Sequence, residues 1–140
     1  METKELRINN LFKTTISRDR GEAKVVYGVK GNNVYVDEKY CYDITHIKPI
    51  PITEEWLLKF GFKKNEPEIS DGFFNWWNKN KDVSVDVEYV LTDNGVENLF
   101  YFVISDGNGF RPYKHIIYVH SLQNLYFALT GKELELCKQN

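Results

Sequence analysis

No run of this 140-residue chain approaches the length and apolarity of a membrane span, and no apolar stretch follows the polar start Met1-Glu2-Thr3-Lys4-Glu5. No membrane partner is expected, and the expected location is the cytoplasm. Charge of one sign is also lacking. Lys and Arg number 18 against 20 Asp and Glu, a formal net charge of −2. Without a basic stripe, nucleic acid is disfavoured as a partner. The short cluster Lys63-Lys64, and Lys79 and Lys81, have Glu66, Glu68 and Asp82 close by and read as solvated surface. Only two cysteines occur, Cys41 and Cys137, far apart and in no C-x-x-C spacing. Two buried or idle thiols are expected rather than a disulfide.

Catalytic signatures are missing too. There is no G-x-S-x-G, Walker loop, H-E-x-x-H or dinucleotide fingerprint, and His46, His115 and His120 are the only imidazoles. Asp86 and Glu88 stand at i and i+2 on a strand, so they point the same way and could share a divalent ion. A metal-dependent hydrolase would need a further carboxylate, and none can be assigned. The plain expectation is that both lie on a solvent face. The Asp106-Gly107-Asn108-Gly109 stretch lacks the later glutamate of a calcium loop and reads as a hairpin turn. No catalytic residue, metal or cofactor is expected, and the chain does not read as an enzyme.

What is present is an aromatic surplus and two well-marked helices. Nine Phe, nine Tyr and three Trp occur in a chain long enough for one domain or two small subdomains. Between residues 118 and 131, Leu122, Leu125, Tyr126 and Leu129 form an apolar stripe at helical period, and Gly131 supplies the left-handed exit. Thr53 reads as an N-cap with Glu54 and Glu55 in the first turn, then Trp56, Leu57 and Phe60 as an apolar face ended by Gly61.

The rest reads as strands. Residues 23–29 and 34–36 flank the turn residues Gly31-Asn32-Asn33, and weaker strands lie on either side. This predicts a small curled β subdomain over 1–48, with an SH3-like barrel as one closure. Pro49-Ile50-Pro51 then marks a boundary. Val83, Val85, Val87, Tyr89 and Leu91 alternate with polar residues, which predicts a strand with one wet face. The Asp93-Asn94-Gly95 turn leads into a strand over 97–105 that is apolar on both sides, and strands at 73–78 and 113–119 complete the set. The predicted fold is α+β: the β subdomain, then over 49–140 a short helix and a four-stranded antiparallel meander covered by the C-terminal helix.

Phe73, Phe74, Trp76 and Trp77 cannot all face one core from one strand, so Trp76 and Trp77 are expected on opposite faces. With Tyr101, Arg111 and Tyr113 they form the candidate contact residues. An aromatic wall with an arginine suits a host protein or a second copy of the chain. It also suits a nucleotide-like ligand whose base stacks and whose phosphate meets the guanidinium.

Three stretches carry a resemblance: 5–11 (ELRINNL), 47–62 (IKPIPITEEWLLKFGF) and 118–134 (YVHSLQNLYFALTGKEL). In this order they resemble a family of small proteins from gut-type bacteria and their phages and prophages. Relatives typically carry glycine in the first stretch, where this chain has Asn9 or Asn10. The resemblance brings no activity and no catalytic residue. It implies an accessory gene of a mobile element, of the kind that encodes proteins blocking host components, including counter-defence factors, in the host cytoplasm. The reading is a non-enzymatic binding protein acting through an aromatic-rich surface, with a nucleotide-like ligand as the alternative.

Overall fold

The computed structural model describes residues 2–65, 73–78, 83–104 and 113–137. Six short strands come first: β1 (Leu11–Thr14), β2 (Lys24–Val25), β3 (Gly28–Lys30), β4 (Asn33–Tyr35), β5 (Cys41–Asp43) and β6 (Ile47–Lys48). Then come α1 (Glu54–Lys59), β7 (Lys63–Asn65), β8 (Phe73–Trp77), β9 (Val83–Thr92), β10 (Gly95–Ile104), β11 (Tyr113–Ile116) and α2 (Val119–Thr130). The mixture of helices with antiparallel sheets is α+β.

Two compact units are built from interleaved segments. One comprises Met1–Pro51 with Tyr118–Glu133, the other Ile52–Ile117 with Leu134–Asn140. The expected division into 1–48 and 49–140 is redrawn accordingly. Helix α2, expected on the meander, belongs to the unit of the N-terminal strands.

In the first unit the strands are divided between two three-stranded sheets, ordered β2-β1-β6 and β3-β4-β5. Leu6, Phe12, Val26, Val34 and Ile47 form a buried cluster, with Val36, Tyr42 and Ile44 packed against it. Lys30 pairs with Asn33 across a two-residue loop in which Gly31 takes φ +60°, as the sheet's twist requires. Asn9 takes φ +75°, a left-handed conformation that asparagine tolerates, so the tight turn near the start is made without glycine.

The attachment of α2 has a polar cause. Gln123 is 2% exposed; its Oε1 accepts the Leu11 N–H at 2.8 Å and its Nε2 donates to the Asn9 carbonyl at 3.1 Å. Asn124 accepts from Asn10 at 2.8 Å and donates to the Glu5 carbonyl at 3.1 Å, while Arg7 pairs with Glu133. Val119 N–H bonds to the Ile50 carbonyl at 2.8 Å, and Pro51 bridges Tyr118. The buried face is therefore Val119, His120, Leu122, Gln123 and Tyr126. Leu129, part of the predicted stripe, is 46% exposed. The helix turns its amides, rather than every leucine, toward strand β1, because backbone groups left unpaired in a buried place cost more than an exposed leucine.

The second unit holds a five-stranded antiparallel sheet, ordered β11-β10-β9-β8-β7. The strand β7 was not anticipated. Helix α1 begins as read: the Thr53 hydroxyl accepts the Trp56 N–H at 3.3 Å, and Gly61 leaves with φ +82°. Trp56 and Leu57 are buried. Glu54 in the first turn accepts from the Tyr89 hydroxyl at 2.6 Å and lies 3.7 Å from Lys64, which ties the helix start to the sheet. The wet face expected for β9 is corrected. Ser84 is 1% and Asp86 7% exposed, as deeply placed as Val83, Val85 and Val87, so the sheet centre is covered on both faces. Glu88 is half-buried, and the one exposed residue of β9 is Leu91, on the face read as apolar.

Candidate functional site

The strand register places the predicted contact residues. Trp77 pairs with Ser84, Ser84 with Val103, and Val103 with Tyr113; in the next row Asp86 pairs with Tyr101 and Tyr101 with His115. Trp77, Tyr101 and Tyr113 thus hold positions on the same side of the ladder. The Tyr101 and His115 rings lie 5.4 Å apart, and both Trp77 and Tyr101 are half-buried. Trp76 pairs with Val85, on the opposite face. At 3% exposed it belongs to the interior, which removes it from any contact surface. Its role is corrected from contact residue to core residue, because the face it occupies is the one that also carries buried Val85, Val87, Phe100 and Phe102. Arg111, the Asp106–Gly109 turn and the charges at 66, 68, 79, 81 and 82 lie outside the described residues, as do the side chains of Phe73, Phe74 and Tyr113.

Among the described residues, no group of three or more His, Cys, Asp or Glu is placed to hold a metal ion. Asp86 sits between Asn75 and Tyr101 in the register. No helix is long and apolar enough to cross a membrane. Cys41 and Cys137 are free, exposed thiols.

Aromatic surface appears instead in the first unit. Tyr40 is 69% and Tyr27 53% exposed, whereas Trp56 is only 8% exposed. Tyr40 borders an open cleft of about 350 Å³ whose walls include Ile16, Arg18, Val36, Tyr42, Asp43 and His46. Its construction follows from local rules. Asp37 Oδ1 accepts the amides of Lys39 and Tyr40 at 2.8 and 2.7 Å, which forms the turn between β4 and β5. Val36 N–H bonds to the Tyr40 carbonyl at 3.0 Å, continuing the ladder, so Val36, Tyr40 and Tyr42 fall on one side of the hairpin. Tyr42 is anchored edge-on to Phe12, with ring centroids 6.4 Å apart.

The opposite walls are short 3-10 turns. Ser17–Asp19 presents Arg18, and Ile44–His46 presents His46. Asp43 caps the second turn: its Oδ1 accepts the Thr45 amide at 2.9 Å and the Thr45 hydroxyl at 2.8 Å. Those bonds, amide first, hold the Asp43 carboxyl below the usual carboxylate range, so it stays ionised at neutral pH. Asp19 is held down chiefly by the Thr14 hydroxyl, with Lys24 and Arg18 adding their charges. Lys24 lies 3.8 Å from Asp19. Arg18 makes no ion pair among the described residues. The cleft therefore offers a guanidinium, an imidazole, one carboxylate, two phenol rings, the Cys41 thiol and an apolar floor.

No motif in the sequence marks this cleft. The signals that could have found it are the Asp43-x-Thr45 cap and the alternation of Tyr40 and Tyr42, which places two rings on one side of a strand. No family model, curated protein or solved structure matches the chain.

Proposed function

We propose that this chain is a non-enzymatic binding protein, an accessory factor of phage or prophage origin that acts by occupying a host component. The cleft of the first unit is its contact site. One observation carries the reading: Tyr40, 69% exposed on a backbone-braced turn, lines the same open cleft as Arg18. Tyrosine and arginine are the side chains that contact surfaces favour, because each offers a large flat area with a polar tip at modest entropic cost. The surplus of rings thus meets solvent in the first unit, with Trp77 and Tyr101 as half-buried reserves in the second. The resemblance of the three sequence stretches supplies the mobile-element and counter-defence context.

The test is retention from host-cell extract on immobilised full chain, comparing wild type with Tyr40→Ala. A host component held by wild type and lost from the variant is expected. A chain that stays monomeric and retains nothing, or one whose retention ignores Tyr40, overturns the proposal.

A further inference from the structure

We infer that the cleft takes a small planar molecule bearing both an anionic group and N–H donors. The inference rests on the binding reading above and names the chemistry of its ligand.

Size comes first. About 350 Å³ lies at the low end of small-molecule sites, enough for one ring system with its substituent. Charge comes next. Arg18 makes no ion pair within 4 Å among the described residues, although its charge also acts on nearby Asp19, and a guanidinium presents a fork of donors that fits carboxylate or phosphate in two parallel bonds. Asp43 supplies the opposite sign. Both Thr45 bonds fall on Oδ1, so Oδ2 is the oxygen left to accept from a ligand's N–H. His46 adds a ring nitrogen of either sense. A cation and an anion in one cleft select a ligand that itself carries an anion and donors, and they penalise simple anions, which Asp43 repels.

The ring requirement comes from Tyr40 and the floor. Tyr40 is exposed and its backbone is fixed by Asp37, so its face is available without rearrangement. Ile16 and Val36 provide the apolar contact beneath. Stacking on a tyrosine is indifferent to which planar ring is offered. Two sources share this chemistry: a nucleoside monophosphate, with phosphate and base amine, and an aromatic amino acid, with carboxylate and ammonium.

Calorimetric titration of the full chain decides. One arm uses the four common nucleoside 5′-monophosphates, the other free phenylalanine, tyrosine and tryptophan. Inorganic phosphate and unphosphorylated nucleosides are the comparison ligands. Saturable one-to-one binding in one arm is expected, with the comparison ligands weaker. Arg18→Gln should weaken it by about tenfold or more, the loss of a charge-assisted pair. Tyr40→Ala should weaken it about fivefold or more through lost stacking. Both positions are exposed, so circular dichroism should be unchanged. Absence of saturable heat at millimolar ligand in both arms overturns the inference, as does equal affinity in wild type and both variants. If titrations fail while Tyr40-dependent retention from extract persists, the ligand chemistry is wrong and the binding reading stands. If both fail, both fall.

Discussion

Gln123 stands in for a neighbouring strand toward Leu11. Its side-chain carbonyl accepts the Leu11 amide at 2.8 Å inside the first unit, while its amide nitrogen reaches the Asn9 carbonyl. Replacing Gln123 by leucine keeps the volume and leaves the buried Leu11 N–H without a partner, which costs about 1–3 kcal/mol. Urea unfolding of Gln123→Leu should show a lower midpoint at unchanged slope. An unaltered midpoint would mean that this pair does not hold the helix to the strand.

A second consequence concerns acid. His120 is 4% exposed, its ring stacks on Tyr118 at 5.6 Å, and its Nδ1 is buried with no hydrogen-bond partner among the described residues. Burial pushes its pKa below the ordinary histidine value, with Glu5, whose carboxylate lies 4.0 Å from Nε2, pulling the other way. The unfolded chain therefore takes up a proton on His120 before the folded one does. The stability His120 contributes is present above about pH 6.5 and is lost as pH falls through the lower folded value. His120→Phe should flatten the melting temperature across that window. Glu133, held down by its bonds to Arg7, acts in a separate window below the usual carboxylate pKa. Parallel pH profiles for wild type and His120→Phe would count against the assignment.

The exit of α1 gives a third test. Gly61 has φ +82°, and a Cβ there would lie 2.6 Å from the Cys137 sulfur. Cys137 N–H in turn bonds to the Lys59 carbonyl at 2.7 Å, which holds the thiol in place. Gly61→Ala should cost about 1–2 kcal/mol from the left-handed backbone alone. The collision adds to that figure. In a Cys137→Ala background the same substitution should cost less, and thermal denaturation of the four proteins measures the difference. Equal costs in both backgrounds would show that the sulfur simply moves aside.

Tryptophan emission distinguishes interior from contact rings. Trp56 and Trp76 are 8% and 3% exposed, and Trp77 is half-buried. Iodide should therefore quench only a part of the emission, and Trp77→Phe should abolish most of that part. Strong residual quenching in the variant would place Trp56 or Trp76 at the surface.

What could be read from the sequence was what short-range chemistry decides. The Thr53 cap, the Gly61 and Gly131 exits and the Gly31 hairpin each depend on neighbours within a few residues, and each stands in the structure. The partner of α2 was not legible. Its stripe of Leu122, Leu125, Tyr126 and Leu129 says that it covers something apolar. The residue that selects the covered strand is Gln123, whose polar side chain reads as surface until Leu11 is seen beside it. Asp86 misled for a related reason, since alternation predicts a wet face only when one side of a sheet is uncovered. The cleft was hidden because its walls come from three separate turns, and only the fold brings Arg18 to Tyr40.

The crossing points of the two units have a consequence for how the protein is made. The chain leaves the first unit after Pro51 and re-enters it at Tyr118, and those two residues form an isolated antiparallel bridge. Ile52 and Ile117 are likewise joined, amide to carbonyl, at 3.0 Å. Residues 52–117 are therefore spliced into the chain between the two segments of the first unit, and these two crossings are tied in pairs. On the ribosome the opening fifty residues must wait, their strand β1 lacking its amide acceptor, until the late helix emerges. The spliced body does not share that wait for its sheet, so the first part of the message translated is not the first part of the protein completed.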